Sequence, residues 1–247
     1  MAGTAVRGRL TWQTATVDSL VDETSKVRTI KLSVPDWAGH EAGQHLDIRL
    51  TADDGYRAER SYSIASAPGE PVAITVERLD DGEVSPYLTQ DVQPGDEIEI
   101  RGPIGGYFVW EPASSGAAPL LLLAGGSGVV PLRAMLRHRS RVRSSVPVRL
   151  LYSARSLAEV IYRSELAAEP DGVEVLYTLT RQQPPGWTGY ARRVDQAMIA
   201  EVAWPEAQAP VAYVCGPTNF VEAVAADLVA LGYPPQRVKT ERFGATG

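Results

Sequence analysis

Hydrophobic and polar residues alternate along three segments of the first half of the chain, which are His45–Leu50, Val72–Leu79 and Glu97–Gly102. A period of two is typical of strands that are buried on one face. Segments rich in Gly, Pro and Asp separate these strands, as in 52–56 and 93–97, and indicate turns. The pattern predicts an antiparallel β-barrel or sandwich in this part of the chain.

The second half has a different pattern. An unbroken apolar run, LLLLAGG, begins at Leu120 and is typical of a strand buried on both faces. Further predicted strands alternate with predicted helices: strands at 148–154, 173–180 and 211–216, and helices at 131–140, 157–169 and 219–232. This alternation predicts an α/β fold with a doubly wound, mainly parallel sheet.

The two patterns meet in a stretch of small residues and prolines, EPASSGAAP at 111–119. Such a composition favours a linker. We therefore expect two domains, residues 1–112 and 118–247. The length of 247 residues accommodates two modest domains.

Composition narrows the classes of function. The net charge of −6 gives no overall attraction for nucleic acid. No apolar run is long enough for a membrane helix, and the N-terminus does not resemble a signal peptide, so we expect a cytoplasmic protein that is not in a membrane. One cysteine can form neither an internal disulfide nor an iron–sulfur cluster. The three histidines are scattered, so no metal site is expected, and the oligomeric state stays open.

Two junctions between a strand and a helix carry glycines. Gly125, Gly126 and Gly128 would let the backbone approach a ligand, and the N–H groups at the following helix start could bind a dinucleotide pyrophosphate. The spacing is not the G-x-G-x-x-G fingerprint, and a tight packing turn is the alternative. At the second junction, Cys215 is either a small core residue or a group at a ligand site.

Six motifs occur in one order along nearly the whole chain: RSYS (60–63), GEVSPYL (82–88), GPIGGYF (102–108), GGSGVVP (125–131), CGP (215–217) and ERF (241–243). Together they resemble the ferredoxin–NADP reductase superfamily. The resemblance implies an FAD-binding antiparallel β-barrel followed by a nicotinamide-binding α/β domain. FAD would be the cofactor, and NADPH or NADH the cosubstrate.

The resemblance implies the following flavin contacts. In the RSYS motif, which includes Ser61, Arg60 would pair with the FAD pyrophosphate, Tyr62 would stack on the flavin ring and Ser63 would hydrogen-bond N5. Three segments would complete the site: the backbone of Thr75 and Val76 at the ring edge, Gly82, Val84 and Ser85 at the phosphates, and Phe243 over the other face of the ring.

On the nicotinamide side, the resemblance implies a binding loop and a reaction centre. The loop would comprise Gly125, Gly126, Ser127 and Gly128, with Cys215, Gly216 and Pro217 beside the nicotinamide. Ser63, Cys215 and Glu241 would surround the point of hydride transfer.

The coenzyme is predicted from two strand ends. Thr180 and Arg181 match a Ser-Arg pair that holds the 2′-phosphate in plant-type relatives, and Ser153 and Arg155 could contribute. We therefore expect NADPH to be preferred, with NADH as the alternative. Arg181 could also be an ordinary solvated strand end.

The leading functional hypothesis is an NAD(P)H-dependent reductase that passes electrons from FAD to a separate one-electron carrier. The arginine-rich segment Arg133–Arg143 could dock an acidic ferredoxin or flavodoxin-like carrier, or could be a solvated helix end. A flavin or quinone reductase that acts on small molecules is one alternative. A non-catalytic flavin- or nucleotide-binding subunit is another.

Overall fold

The computed structural model describes residues 10–112, 116–169 and 172–243. Its first sheet has six strands: β1 (Gln13–Thr24), β2 (Val27–Ser33), β3 (His45–Thr51), β4 (Arg57–Ser63), β5 (Val72–Glu77) and β6 (Glu97–Ile104). Its second sheet has five: β7 (Leu120–Gly125), β8 (Val148–Ser156), β9 (Val173–Gln182), β10 (Val211–Pro217) and β11 (Val238–Phe243). The helices are α1 (Val129–Arg141), α2 (Arg163–Ala167), α3 (Gln196–Val202) and α4 (Thr218–Ala230).

The first sheet is antiparallel, with the strand order β4-β3-β6-β1-β2-β5. Its two ends approach each other just after β4, where Ile64 forms a bridge with Ile74. The Ala65 N–H also donates a hydrogen bond of 2.7 Å to the Ala73 carbonyl. Alternate residues such as Ile30 and Ile48 are fully buried inside this sheet. The predicted antiparallel barrel is confirmed.

The second sheet is parallel, with the order β11-β10-β7-β8-β9. Strand β7 lies at its centre. Leu120 and Leu122 pack into the core on one face, whereas Leu121 and Leu123 pack into the core on the other. A strand covered on both faces has no polar side to show, which explains the unbroken apolar run. The predicted doubly wound sheet is confirmed.

The predicted helix at 157–169 is largely wrong. Residues Leu157–Glu159 form a single 3₁₀ turn, and α2 spans only Arg163–Ala167. Between them, Tyr162 has a φ of 58°, in the left-handed region that costs a residue other than glycine about 1–3 kcal/mol. The Tyr162 side chain is buried, and its hydroxyl donates to Thr75 in the first sheet. These tertiary contacts offset the strain and override the helical pattern.

The two sheets share a buried interface. Val27 and Ala73 of the first sheet belong to the same apolar cluster as Leu122 of the second. Hydrogen bonds also cross it: the Arg137 guanidinium donates to the Ala65 carbonyl at 2.6 Å, and the Tyr213 hydroxyl donates to the Val109 carbonyl at 2.8 Å. This interface sets the position of one sheet relative to the other. Residues 113–115 of the predicted linker lie outside the described part of the chain.

Among the helices of the described residues, none is both long and apolar enough to cross a bilayer.

Candidate active site

Ends of strands from both sheets meet at the interface. Cys215 of β10 is the register partner of Glu241 on the parallel strand β11. From the first sheet, the His45 Nδ1 lies 3.8 Å from the Glu241 Oε1, and His45 is in turn the register partner of Ser63 on β4. The fold thus brings together Ser63, Cys215 and Glu241, three residues widely separated in the sequence.

Polar atoms in this cluster are buried without protein partners. Within the described residues, neither the Ser63 Oγ nor the Glu241 Oε2 has a hydrogen-bond partner. Buried polar groups normally have one, so these two atoms are available to a ligand. Burial raises the pKa of the Glu241 carboxyl to about 7, so this side chain can gain or lose a proton near neutral pH.

Cys215 is a free, fully buried thiol. Burial raises its pKa well above the usual value, and the neighbouring Glu241 carboxylate adds to the effect. A neutral thiol is a poor nucleophile. The environment of Cys215 therefore favours a packing and polar-contact role over covalent catalysis.

His45 is a site residue that the sequence analysis missed. It lies at the start of β3, and Gly105 packs against its ring, since a side chain at Gly105 would begin 3.5 Å from the Nδ1. Burial lowers the pKa of His45, and the nearby Asp47 opposes that shift. No sequence spacing relates His45 to Glu241. The fold brings His45 of the first sheet beside Glu241 of the second.

Strand β4 presents two faces. Arg60 and Tyr62 pair with Ile48 and Leu46 in the register of β3, and cross-strand partners lie on the same face. Arg60 and Tyr62 therefore share a face of the strand. Ser61 lies on the opposite face, where its hydroxyl donates to the Asp47 carboxylate at 2.6 Å. That hydroxyl is therefore already occupied within the protein.

The segment that follows β5 is a tight turn. The Gly82 N–H donates to the Leu79 carbonyl at 2.9 Å, and the Leu79 N–H donates to the Ser85 Oγ at 3.0 Å. A side chain at Gly82 would begin 3.0 Å from that same oxygen, so little space remains for one. Val84 packs inside the barrel. A π-helical turn, Tyr87–Asp91, comes next.

Thr75 and Val76 lie on β5, the last strand in the sheet order. The Thr75 hydroxyl contacts the Thr29 Oγ1 at 2.7 Å and accepts from the Tyr162 hydroxyl. Val76 is fully buried in the barrel. Both side chains are thus engaged in the interior, which leaves the backbone for the predicted ligand contact. Phe243 lies at the end of β11, half-buried against the larger apolar cluster.

The glycine loop approaches β10 closely. A side chain at Gly128 would begin 2.1 Å from the Cys215 carbonyl oxygen, and one at Gly216 would begin 2.9 Å from the Gly125 carbonyl oxygen. Gly126 has a φ of +54° and open space around its missing side chain. Next to it, Ser127 is half-buried, within the 3₁₀ turn that leads into α1. The loop is thus packed on one side and open on the other, which fits a nucleotide.

The predicted 2′-phosphate residues lie at the ends of two adjacent strands. Ser153 of β8 pairs with Gly125 of β7. The Thr180 hydroxyl donates to the Ala154 carbonyl at 3.2 Å, which ties β9 to β8. The side chains of Arg155 and Arg181 are exposed. The guanidinium groups of Arg155 and Arg181 therefore lie on the β8 and β9 side of the glycine loop, whereas Cys215 lies on the β10 side.

The arginine-rich segment is only partly solvated. Arg133 and Arg139 are buried, with 7% and 4% of their surface exposed. Arg133 pairs with Glu165 and Glu169. Arg137 pairs with Glu165 at 2.7 Å as well as with the Ala65 carbonyl. Arg141 and Arg143, at the end of the segment, are exposed, and the docking of an acidic carrier by this segment stays a prediction.

Comparison with known proteins identifies both halves of the chain. Residues 14–109 match the oxidoreductase FAD-binding domain, and residues 122–226 match the oxidoreductase NAD-binding domain. A ferredoxin–NADP reductase B from Sorangium cellulosum is 35% identical over 82% of this chain and 85% of its own. The glycine betaine monooxygenase reductase subunit of Chromohalobacter salexigens is 32% identical over 92% of this chain, which spans 63% of that protein's length.

Among solved structures, the chain is similar to the flavohem-like FAD/NAD-binding domain of nitric oxide dioxygenase from Vibrio cholerae. The TM-score is 0.83 at 26% identity, and the match covers 94% of this chain and 98% of the other. The buried, unpartnered Ser63 oxygen and the open side of the glycine loop fit a flavin and a nucleotide bound on opposite sides of the interface.

Proposed function

We propose that this chain, which belongs to the ferredoxin–NADP reductase superfamily, takes hydride from NADPH or NADH onto FAD and passes electrons to a separate one-electron carrier such as a ferredoxin. The observation that carries the proposal is the buried cluster of Ser63, Cys215 and Glu241, assembled from both sheets. Such a cluster lies where a ring held by the first domain would meet a ring held by the second.

In this proposal FAD supplies the redox chemistry, because it accepts two electrons and releases them singly. The protein holds and orients the two rings. Arg60 would bind the pyrophosphate, and Tyr62 and Phe243 would contact the flavin ring. The Ser63 hydroxyl, which has no hydrogen-bond partner in the part of the chain that the structure describes, would hydrogen-bond the flavin at N5.

Glu241 would take up or release a proton during the reaction. Its carboxyl is mostly buried, and its pKa is raised to about 7 by that burial, so it changes charge near neutral pH. The Nδ1 of His45, whose side chain is 27% exposed, lies 3.8 Å from this carboxyl. Cys215 would contact the nicotinamide as a neutral thiol, with no covalent step.

NADPH would be the preferred coenzyme. Support comes from the exposed guanidinium groups of Arg155 and Arg181 at neighbouring strand ends. A guanidinium pairs well with a phosphate because its N–H groups form a planar fork. NADH lacks the 2′-phosphate that these groups would bind.

The separate carrier and the location are further proposals. The similar proteins named as reductase components and as a ferredoxin–NADP reductase support a protein acceptor. The domain limits of 1–112 and 118–247 also remain proposals, as does a cytoplasmic location.

The test is anaerobic stopped-flow spectroscopy of the FAD-loaded protein, mixed first with NADPH or NADH and then with candidate ferredoxins. We expect rapid bleaching of the flavin, faster with NADPH, and then re-oxidation by a carrier. Flavin that neither coenzyme bleaches would refute the proposal. Re-oxidation by free flavins or quinones, with no response to any ferredoxin or flavodoxin, would favour the small-molecule reductase.

A further inference from the structure

Arg60, the proposed partner of the FAD pyrophosphate, is already held by a carboxylate. Its Nη2 donates to the Glu83 Oε2 at 2.9 Å, and its Nη1 donates to the Glu59 carbonyl at 2.8 Å. The second Glu83 oxygen accepts a hydrogen bond of 2.7 Å from the Tyr56 hydroxyl. Glu83 therefore bridges two side chains, and both ends of its carboxylate are fixed.

Glu83 lies in the segment that the proposed function assigns to the phosphates of FAD. It stands between Gly82 and Val84, at the turn that the Ser85 side chain closes. A carboxylate at this point places a negative charge beside the groups that would receive a pyrophosphate. Like charges this close repel each other unless a cation is shared between them.

We propose that Glu83 is a displaceable carboxylate that competes with the FAD pyrophosphate for the Arg60 guanidinium. This inference rests on the proposed role of Arg60. Both side chains of the ion pair are exposed by nearly half, at 42% for Arg60 and 47% for Glu83, so the pair can open without disturbing the core. The Tyr56 hydroxyl restrains Glu83 and thereby favours the closed arrangement.

The neighbouring acidic residues are engaged elsewhere. Asp80 pairs with Lys26 at 2.8 Å and with Arg78 at 3.0 Å. The Glu59 carboxylate lies 3.7 Å from the Arg101 guanidinium, although the Glu59 backbone accepts from Arg60. Glu83 is therefore the carboxylate that the structure places on the Arg60 guanidinium.

The inference predicts that removing the charge of Glu83, which pairs directly with Arg60, strengthens cofactor binding. Apo-protein variants would be titrated with FAD by isothermal calorimetry and by flavin fluorescence. The titrations would be run at ~10 mM salt, where charges are weakly screened, and at ~0.5 M salt, where they are strongly screened. For Glu83→Gln we expect the Kd of FAD to fall about two- to fivefold at low salt, the range of an exposed ion pair. The gain should shrink at high salt.

Two further variants make the test specific. Tyr56→Phe frees one oxygen of Glu83 and should tighten FAD binding by a smaller factor. Glu59→Gln is the matched control, because it removes the same charge one residue from Arg60 while leaving the Arg60–Glu83 pair intact. Its Kd should not change. Thermal unfolding of each apo-protein would establish that the variants are folded.

The outcomes separate the inference from the proposed function. If Arg60→Met weakens FAD binding while Glu83→Gln leaves it unchanged or weaker, Glu83 orients Arg60 or is inert, and this inference alone fails. Equal tightening by Glu59→Gln and Glu83→Gln would reduce the effect to net charge and would also overturn it. If Arg60→Met leaves the Kd unchanged, both the inference and the assigned role of Arg60 are wrong.

Discussion

Replacing Glu241 by glutamine should stabilise the apo-protein by an amount that grows as the pH rises above about 4.5 and is complete above about 7. Burial raises the pKa of the Glu241 carboxyl from 4.5 to about 7 in the folded protein. The folded state therefore binds a proton more tightly than the unfolded state does. Because of this difference, the wild-type free energy of unfolding should fall as the pH rises from about 4.5 to about 7, and should not fall further above that range.

The size of the effect follows from the same values. The rise in the pKa of Glu241 from 4.5 to about 7 corresponds to about 3 kcal/mol of unfolding free energy, since a pKa difference of one corresponds to about 1.4 kcal/mol. The Glu241 side chain is only 19% exposed, so solvent screening reduces this figure little. Glutamine has nearly the same shape and no charge. The variant should thus match the wild type near pH 4.5 and exceed it by about 3 kcal/mol near pH 8.

The assay is urea unfolding of the apo-proteins at a series of pH values, with the stability difference between variant and wild type as the measured quantity. Glu206→Gln, at an exposed position, controls for the loss of one carboxylate. A difference for Glu241→Gln that is constant across the pH range would refute the reasoning. So would a difference that grows towards acid pH.

Three further perturbations test other parts of the site. Gly128→Ala places a Cβ 2.1 Å from the Cys215 carbonyl oxygen, so we expect a large loss of thermal stability; an unchanged Tm would contradict the close approach. Tyr162→Phe removes the hydroxyl that bonds Thr75 and should lower the free energy of unfolding by about 1–2 kcal/mol in urea titrations; no loss would mean that this bond contributes nothing. Arg181→Ala should raise the KM for NADPH far more than that for NADH in steady-state assays; equal effects would exclude a 2′-phosphate role.

Strands and helices can be predicted from the sequence where a local pattern alone determines the structure. Leu120–Leu123 are apolar because β7 is covered on both faces, and this pattern needs no knowledge of distant residues. The helix starting at Thr218 likewise follows its own sequence, since its apolar residues Val221, Val224 and Leu228 recur at helical spacing and are buried. Both elements were predictable to within a few residues.

Other elements depend on contacts that no local pattern contains. The segment at 157–169 has a helical pattern, but the Tyr162 ring packs into the interface and its hydroxyl reaches Thr75, 87 residues away. The arginines of α1 have the composition of a surface, yet Arg133 pairs with Glu165 of α2 and with Glu169, which follows that helix. In both cases tertiary packing overrides the local signal.

The candidate active-site cluster likewise depends on contacts that no local sequence pattern contains. The motifs locate Ser63 and Glu241 on different domains, but they cannot say which group lies between them. That group is His45, which pairs with Ser63 in the register of β3 with β4 and whose Nδ1 lies 3.8 Å from the Glu241 Oε1. A one-residue slip in that register would turn His45 to the other face of its sheet. The polar environment of Glu241 is therefore a property of strand pairing, and it can be changed by substitutions in β3 that touch neither proposed cofactor.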